Sequence, residues 1–278
     1  MYRLGSSERA DLPLAVVIGA GAMGMAIARR LAQQHRVLLA DINGPHVEDR
    51  AAAMRGEGCD VSSIVCDITA ASSVQTLAAA VAEKGGLGVL AHVAGLSPSL
   101  GSFRSIVRVN LQGAALVAEA LLPLAGQGSA AVLISSLAAH NFTPSNEIVE
   151  ILHKPTADDL VERLELALGL QAATPQMAYA YSKWGLLSLV RRSVASWGAR
   201  GARIVSISPG LIATIQGALE FQKSEGKRRI FQLSPLKREG TMLEIADAVE
   251  FLTSTRASFI SGSDLLVDGG LSAVLSQK

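Results

Sequence analysis

The sequence predicts an α/β fold in which helices cover both faces of one doubly wound parallel sheet. Short apolar runs alternate with alanine-rich helical stretches, and this alternation is typical of parallel sheets. The runs are apolar at successive positions rather than at alternate ones, as expected for strands buried on both faces. No repeat or linker divides the 278 residues, 49% of which are hydrophobic, so we predict a single domain spanning residues 1–278.

Seven of these runs are predicted strands because they are short and rich in leucine and β-branched residues. Each is flanked by segments of helical or turn composition, which indicates that crossover helices join neighbouring strands. In chain order, the predicted strands are Leu14–Ile18, Val37–Ala40, Val61–Val65, Leu87–His92, Ala130–Ile134, Ile204–Ile207 and Leu265–Val267.

Two longer segments interrupt the alternation of strands and helices. The first, about residues 140–174, is an insertion with a predicted helix that begins near Thr156 and Asp159, which stand at capping-box spacing, and stops at Gly169. The apolar residues that share one face of this helix are Ala157, Leu160, Val161, Leu164 and Leu168. The second segment, about residues 211–240, is polar and basic, and we predict that it forms a substrate lid.

Composition and charge exclude several classes of function. The 25 basic and 24 acidic residues leave a net charge of +1, so the chain has no overall field for nucleic acid or an anionic membrane. Cys59 and Cys66 lack the spacing of a zinc or thiol-redox motif, and the five histidines show no metal-binding spacing. No apolar run reaches the roughly 18 residues of a membrane helix, and residues 1–11 lack a signal-peptide pattern. We therefore expect a cytoplasmic protein without a metal site.

A glycine-rich turn follows the first predicted strand and precedes a helical run. Gly19, Gly21 and Gly24 permit a tight turn, close approach of the backbone to a pyrophosphate and close packing of helix on strand. The N-terminus of the helix then faces the phosphates. The preceding strand, the following helix and Asp41 about 20 positions further on complete the context of a Rossmann-type dinucleotide site. This interpretation is favoured over a merely structural turn.

Asp41, at the end of the second predicted strand, bears on the choice between NAD and NADP. Its carboxylate can accept hydrogen bonds from ribose hydroxyls, whereas a 2′-phosphate placed there meets like charge. Neither Ile42 nor Asn43 supplies an arginine to offset that repulsion. We therefore predict NAD, with a solvated strand end as the alternative reading of Asp41. The arginines that offer a phosphate partner from elsewhere are Arg29, Arg30 and Arg36.

Tyr179 and Lys183 are four positions apart in a strongly helical segment, which places both side chains on one face. A phenol with a pKa near 10 is a poor base at neutral pH, but a nearby ammonium group lowers that pKa. The pair therefore suits general acid/base chemistry, although the same spacing also arises by chance on surface helices. Tyr181, only two residues away, is expected to point away from that face.

In family order, these motifs resemble those of the short-chain dehydrogenase/reductases over nearly the whole chain, from about Leu14 to Gly270. The resemblance rests on the glycine turn with Asp41 and on a series of later motifs. The later motifs are Cys66-Asp67-Ile68, Val93-Ala94-Gly95, Val109-Asn110, Ile134-Ser135-Ser136, Tyr179–Lys183, Ser208-Pro209-Gly210 with Thr214, Ile260–Gly262 and Val267–Gly270.

The resemblance implies a catalytic role for four residues. Tyr179 would exchange a proton with the substrate oxygen, and Ser136 would hydrogen-bond that oxygen. Lys183 would bind the nicotinamide ribose and lower the pKa of Tyr179. Asn110 would position a backbone kink and a water molecule for proton relay.

The resemblance also implies a set of cofactor contacts, with Asp67 at the adenine and Thr214 at the carboxamide. The full expected set is Gly19, Gly21, Met23, Gly24, Asp41, Ile42, Asp67, Ile68, Ala94, Gly95, Tyr179, Lys183, Pro209, Gly210, Ile212 and Thr214. Two features depart from the family pattern: the glycine turn is one residue shorter than usual, and 43 positions separate Ser136 from Tyr179. We expect the additional segment to shape the pocket, to form a subunit interface or to act as a solvent-covered cap.

We predict an NAD-dependent oxidoreductase that transfers a hydride between the cofactor and an alcohol or carbonyl substrate. The alternatives are a non-catalytic NAD(H)-sensing protein and a structural homo-oligomer with the same fold. The basic lid suggests an anionic substrate, unless its charge simply complements the acidic insertion. Relatives commonly assemble through helices equivalent to residues 110–124 and 179–197, so a homodimer or a homotetramer is expected.

Overall fold

The computed structural model describes residues 11–169, 171–214 and 225–277. The described residues form one sheet of seven parallel strands in the order β3-β2-β1-β4-β5-β6-β7, which confirms the predicted doubly wound sheet. The strands are β1 (Leu14–Ile18), β2 (Arg36–Asp41), β3 (Val61–Val65), β4 (Leu87–His92), β5 (Ala125–Ile134), β6 (Arg203–Pro209) and β7 (Asp264–Val267).

Helices cover both faces of this sheet. On one face lie α1, α2 and α10, and on the other lie α3, α4, α5 and α8. The helices in the described part of the chain are α1 (Ala22–Leu31), α2 (Gly44–Gly56), α3 (Ala71–Glu83), α4 (Phe103–Val107), α5 (Ala114–Leu121), α6 (Asn146–Leu152), α7 (Leu160–Leu168), α8 (Pro175–Gly198), α9 (Glu225–Leu233), α10 (Met242–Thr253) and α11 (Leu271–Leu275).

The central strand β1 explains why the predicted strands are apolar at every position. Val16 and Ile18 point into the core beneath α3, α5 and α8, whereas Ala15 and Val17 point into the core beneath α1 and α10. All four side chains are at most 1% exposed. Because successive residues of a strand face opposite sides, a strand covered on both sides needs apolar residues throughout.

Strand β5 begins five residues earlier than the predicted run. Its first residues, Ala125–Ser129, include glycine and polar residues, so an apolar pattern does not reveal them. Gly128 has a φ of +85°, and the pairing between β4 and β5 changes register after Leu87. The strand therefore starts with an irregular segment that only glycine accommodates readily.

A single helical run extends from Phe103 to Leu124 and includes a π-helical segment, Arg108–Gly113, between α4 and α5. By length and composition this run is able to cross a membrane, but 56% of its most apolar window is buried within the protein. Ile106, Leu111 and Leu121 are fully buried against the sheet and neighbouring helices. The run is therefore placed as a core helix, and its π segment lies next to the carboxyl end of β4.

The insertion folds as two helices, α6 and α7, that pack on the outer side of α4, α5 and α8. Ile151, Leu160 and Leu164 are at most 4% exposed, so the hairpin extends the hydrophobic core. Four of the five predicted apolar residues lie in α7, whereas Ala157 precedes it, and Gly169 follows the helix with a φ of +78°. Helix α6 is absent from the prediction, although Ser145 caps it by accepting a hydrogen bond from the Ile148 N–H.

The predicted capping box of the insertion helix does not form. Helix α7 begins at Leu160, after Asp159, whose side chain makes no capping hydrogen bond. Thr156 instead lies beside the carboxyl group of Glu119 on α5. The spacing is that of a capping box, but Thr156 lies beside another helix, α5, and does not cap α7.

Polar contacts fix the insertion to the body of the protein. Arg104 on α4 forms an ion pair with Glu162 at 2.9 Å and another with Glu165 on α7. Gln112 donates a hydrogen bond from Nε2 to the Ala157 carbonyl at 3.1 Å. The insertion thus contacts part of the segments, residues 110–124 and 179–197, that the sequence predicts to mediate assembly.

Candidate active site

A cavity of about 950 Å³ opens at the carboxyl ends of the strands. Parallel sheets of this strand order bind ligands at this edge, where the chain connections diverge to opposite faces. All sixteen predicted cofactor contacts line the cavity, together with Ser136. Asn110 lies behind the wall, because its side chain is fully buried. The sequence therefore identifies the cavity from residues that span positions 19 to 214.

The glycine turn between β1 and α1 is packed too closely for larger residues at two positions. Gly19 has a φ of +102°, and a β-carbon there would lie 2.8 Å from the Ala94 nitrogen. A β-carbon on Gly24 would lie 1.9 Å from the Gly19 carbonyl oxygen. These contacts bring α1 close to β1 and direct the helix axis at the cavity. The geometry therefore shows two of the predicted glycine roles, the tight turn and the close packing of helix on strand.

The N-terminus of α1 meets the cavity without a side-chain cap. Gly21 is the N-cap residue, its backbone is extended, and a β-carbon there would have no atom within 4 Å. The first N–H groups of a helix need partners other than the helix itself and carry partial positive charge. An anionic group at this position satisfies both needs, so the geometry fits a pyrophosphate.

Two acidic residues at the carboxyl ends of β2 and β3 line the cavity beside the glycine turn. Asp41 accepts hydrogen bonds from the Ala20 N–H at 2.8 Å and from the Asn43 N–H at 3.0 Å, one on each carboxylate oxygen. Asp67 accepts from the N–H and the hydroxyl of Thr69 on a single oxygen, at 2.9 and 2.7 Å. Each carboxylate oxygen has two lone pairs, so both groups retain acceptor capacity toward a nucleoside.

Tyr179 and Lys183 lie one turn apart near the start of α8, which Thr174 caps by accepting a hydrogen bond from the Met177 N–H. The Lys183 Nζ atom lies 5.8 Å from the centroid of the Tyr179 ring. It also donates a hydrogen bond to the Ile134 carbonyl at 2.8 Å. The strand β5 thus holds the ammonium group at a fixed position beside the phenol.

Burial perturbs two titratable groups in this region. The Lys183 side chain is removed from water, which lowers its pKa from 10.5 to about 8. Burial, and secondarily the charge of Lys183, lowers the pKa of His92 from 6.5 to about 3. The Nε2 atom of His92 has no hydrogen-bond partner among the described residues. At neutral pH the site therefore contains a buried ammonium group beside a neutral imidazole.

Ser136 and Asn110 are held by backbone contacts. Ser136 precedes a 3₁₀ turn, Leu137–His140, and its Oγ accepts a hydrogen bond from the Ala138 N–H at 3.2 Å. Asn110 lies in the π-helical segment and binds Leu96 twice, accepting from its N–H at 2.7 Å and donating to its carbonyl at 2.9 Å. The backbone irregularity that the family resemblance implies at Asn110 is therefore present.

The 3₁₀ turn after Ser136 is anchored at its far end. The His140 Nε2 atom lies 3.0 Å from Asp264 Oδ2 on β7 and 3.1 Å from Ser208 Oγ on β6. The Asp264 side chain is only 7% exposed. The first residue of the insertion, His140, is thus bound to the sheet at Ser208. Ser208 stands two residues before Gly210 of the cavity wall.

Several lining residues escape prediction from the sequence. They are polar or aliphatic residues outside the quoted motifs and the predicted contacts, namely Ala22, Thr69, Leu96 and Ser97. Leu96 and Ser97 directly follow Val93-Ala94-Gly95, so extending that motif by two positions would have found them. Leu211 and Glu239 lie in the segment that the sequence predicts to form a substrate lid, so both ends of that segment line the cavity.

The described lining does not support the expectation of an anionic substrate. Lys183 is the only basic side chain that the described residues contribute to it, and Glu239 adds an acidic group. Arg238 instead binds the carboxylate of Glu244 at 2.7 Å, and Lys237 donates to the Gln232 carbonyl. The remaining part of the predicted lid, residues 215–224, lies outside the described residues. The described insertion residues do not line the cavity either.

Comparison with known proteins matches the chain over nearly its whole length. A family model described as enoyl-(acyl carrier protein) reductase matches residues 19–156 and 164–272. The short-chain dehydrogenase/reductase bsc3 of Alternaria brassicicola is 36% identical over 271 residues, which covers 94% of this chain and 96% of that protein. D-threitol dehydrogenase of Mycolicibacterium smegmatis is 31% identical over 274 residues, with 94% of each chain covered.

The structural comparison agrees with the sequence matches. The 3-alpha-hydroxysteroid dehydrogenase from Pseudomonas sp. B-0831, solved in complex with NADH, is 29% identical, with a TM-score of 0.76. The match covers 95% of this chain and 99% of that one. The function shared with these relatives is hydride transfer on alcohol or carbonyl groups, and it favours an enzyme over a sensor or a scaffold. The chain belongs to the short-chain dehydrogenase/reductase family.

Proposed function

We propose that the protein is an NAD-dependent dehydrogenase that interconverts a secondary alcohol and a ketone. The observation that carries the proposal is the position of Asp41, whose carboxylate lines the cavity at the end of β2. A 2′-phosphate beside this carboxylate meets like charge, whereas ribose hydroxyls find an acceptor. The crystallised hydroxysteroid dehydrogenase relative was solved with NADH, which agrees with this choice.

The arginines that offer an alternative phosphate partner are all engaged elsewhere. Arg29 binds Glu57 through two hydrogen bonds of 2.7 and 2.8 Å. Arg30 pairs with Asp247, and Arg36 donates to two backbone carbonyls, each at 2.9 Å. Recruiting one of them to a 2′-phosphate requires breaking these contacts, which supports NAD as the cofactor.

The residues of the cavity are suited to proton transfer at one end. The Tyr179 phenol gives or takes the proton of the substrate oxygen, while the Ser136 hydroxyl donates a hydrogen bond to that oxygen. The Lys183 ammonium group favours the phenolate because opposite charges attract across the short distance between them. A dinucleotide held by the glycine turn and by the wall formed by Gly95, Pro209 and Thr214 would supply the hydride chemistry.

Fluorescence titration with NADH and with NADPH tests the cofactor without knowledge of the substrate. We expect NADH to bind at least tenfold more tightly, and we expect Asp41→Ala to reduce this preference by removing the repelling charge. The matched control is Asp60→Ala, an acidic residue just before β3 that does not line the cavity. Tighter binding of NADPH would overturn the choice of NAD, and absence of binding to either would overturn the proposed activity.

The proposed assembly is a homodimer. The insertion packs against α8 and beside α5, so it occupies part of the surface of the helices that are expected to mediate assembly. Apolar side chains remain exposed around the edge strand β7, where Phe259 is fully exposed and Leu265 and Leu266 are each 38% exposed. Light scattering coupled to size exclusion should give a dimer that Leu266→Glu converts to a monomer; a tetramer would contradict the proposal.

We also propose a cytoplasmic location, where reducing conditions suit two unpaired cysteines.

A further inference from the structure

The backbone of Ala20, inside the glycine turn, is bound by side chains on both of its polar groups. Ala20 is fully buried, so its N–H and its carbonyl each need a partner within the protein. The N–H donates to Asp41 Oδ2 at 2.8 Å, and the carbonyl lies 3.1 Å from the Nε2 atom of His46 on α2. Because a carbonyl oxygen only accepts, the Nε2 atom of His46 must carry the proton.

These contacts close a ring of four hydrogen bonds. Asp41 accepts from the Ala20 N–H and from the Asn43 N–H, and Asn43 in turn accepts from the His46 N–H at 3.1 Å. The His46 ring then returns to Ala20. The residue that recognises the ribose and the turn that faces the pyrophosphate are thereby fixed to each other through the start of α2.

The His46 contact determines which way one particular N–H points. The carbonyl of Ala20 and the N–H of Gly21 belong to the same peptide unit, which is planar and trans. In such a unit the two groups point in opposite directions. Drawing the carbonyl toward His46 therefore directs the Gly21 N–H the other way, at the N-terminus of α1 where Gly21 lines the cavity.

We propose that His46 is a positioning residue for pyrophosphate recognition. Its ring fixes the Ala20–Gly21 peptide so that the Gly21 N–H is aimed at a phosphate oxygen before the cofactor arrives. The inference rests on the proposed binding of a dinucleotide but adds a residue that neither lines the cavity nor belongs to the family motifs listed above. The turn is one residue shorter than the family pattern, and the ring supplies a support from outside it.

The chain contains a matched control for this contact. His35 also places a ring nitrogen 3.1 Å from a backbone carbonyl, that of Leu31 at the end of α1. Neither residue lines the cavity. Replacing His35 removes a histidine-to-carbonyl contact of the same length at the C-terminal end of α1. The glycine turn lies at the N-terminal end of the same helix.

The test is a fluorescence titration of NADH with His46→Met, His46→Gln and His35→Met. We expect His46→Met to bind NADH about tenfold more weakly, the factor typical of one lost orienting hydrogen bond. His46→Gln, which keeps a donor of similar reach, should remain within about threefold of the wild type. His35→Met should bind like the wild type, even where both methionine variants melt at a lower temperature.

Competition by ADP-ribose separates the pyrophosphate from the nicotinamide. The loss in His46→Met should be the same for ADP-ribose as for NADH, because both carry the pyrophosphate. Wild-type affinity in His46→Met, or an equal loss in His35→Met, would overturn the inference and leave the proposed function intact. A wild-type protein that binds neither NADH nor NADPH would overturn both together.

Discussion

Two tyrosines on one helix show how a spacing of two residues separates a side chain that lines the cavity from one that packs in the core. Tyr179 lines the cavity, and the ammonium group of Lys183 lies beside its ring. Tyr181 is 7% exposed and packs edge-on against Phe142, with ring centroids 4.8 Å apart. Burial raises the pKa of Tyr181, which opposes ionisation, whereas the charge beside Tyr179 favours it.

We expect Tyr179→Phe to lower the rate of hydride transfer by about 10³-fold, the contribution typical of general acid/base catalysis. Binding of NADH should stay within about twofold of the wild type, because the change removes only a hydroxyl group. The measurement is steady-state turnover on a secondary alcohol together with fluorescence titration of the cofactor. Tyr181→Phe is the control, and it should retain most of the activity; comparable loss in both variants contradicts the assignment.

Burial of Lys183, to which we assign a chemical role in the proposed function, has a cost in stability. A shift of its pKa from 10.5 to about 8 corresponds to about 3 kcal/mol of unfavourable burial of the charged form. The unfolded lysine keeps its proton up to about 10.5, so the unfolded state binds more protons than the folded state between pH 8 and 10.5. The unfavourable contribution therefore diminishes as the pH rises through this window.

At the level of elements, the insertion is the part of the chain whose position the sequence leaves open. Its two helices bury apolar faces against α4, α5 and α8, and Arg104 binds two acidic residues of α7. Exposed ion pairs contribute little, so the buried leucines carry most of the attachment. Opposite faces of α7 differ sharply, since Leu164 is fully buried and Leu166 is 83% exposed.

We expect Leu164→Ala to lower the free energy of unfolding by about 3 kcal/mol, because it leaves a cavity in a packed core. Leu166→Ala, two residues away on the same helix, should change it by less than about 0.5 kcal/mol. Urea unfolding followed by circular dichroism measures both. Equal small effects would mean that α7 is not packed against the body.

The sequence predicts elements whose signal is local and misses those that depend on distant partners. The central strands are found from apolar runs because burial on both faces leaves no ambiguity of period. The irregular start of β5 is missed because glycines carry its geometry, and the capping box at Thr156 fails because the helix begins only at Leu160. The cavity walls are found through motifs, whereas Thr69 and Leu96, which belong to no motif, reach the cavity only through the folded path of the chain.

For the whole molecule, the position of His92 at the centre of the sheet links folding to pH. The folded protein keeps this imidazole neutral down to about pH 3, whereas an unfolded histidine takes up a proton near 6.5. Between these values the unfolded state binds more protons, so stability falls as the pH falls. Above pH 6.5 both states are neutral at this residue, and the contribution no longer changes.

We expect His92→Asn to lose about 2 kcal/mol less stability than the wild type between pH 7 and pH 5, because the variant has no imidazole to protonate on unfolding. Urea unfolding at the two pH values, with the same buffer and ionic strength, gives the comparison. Parallel loss of stability in the two proteins would show that other groups govern acid unfolding.

The insertion joins Ser136 to Tyr179 along the chain but does not itself position either side chain. Ser136 follows β5 and Tyr179 lies on α8, and the residues between them contribute nothing to the cavity lining that the described residues form. Lengthening a connection costs free energy only logarithmically with its length. A backbone break between Leu152 and Leu160 should therefore leave two complementary fragments, one carrying the serine and the other the tyrosine. Brought together, they offer a split enzyme whose activity reports their association.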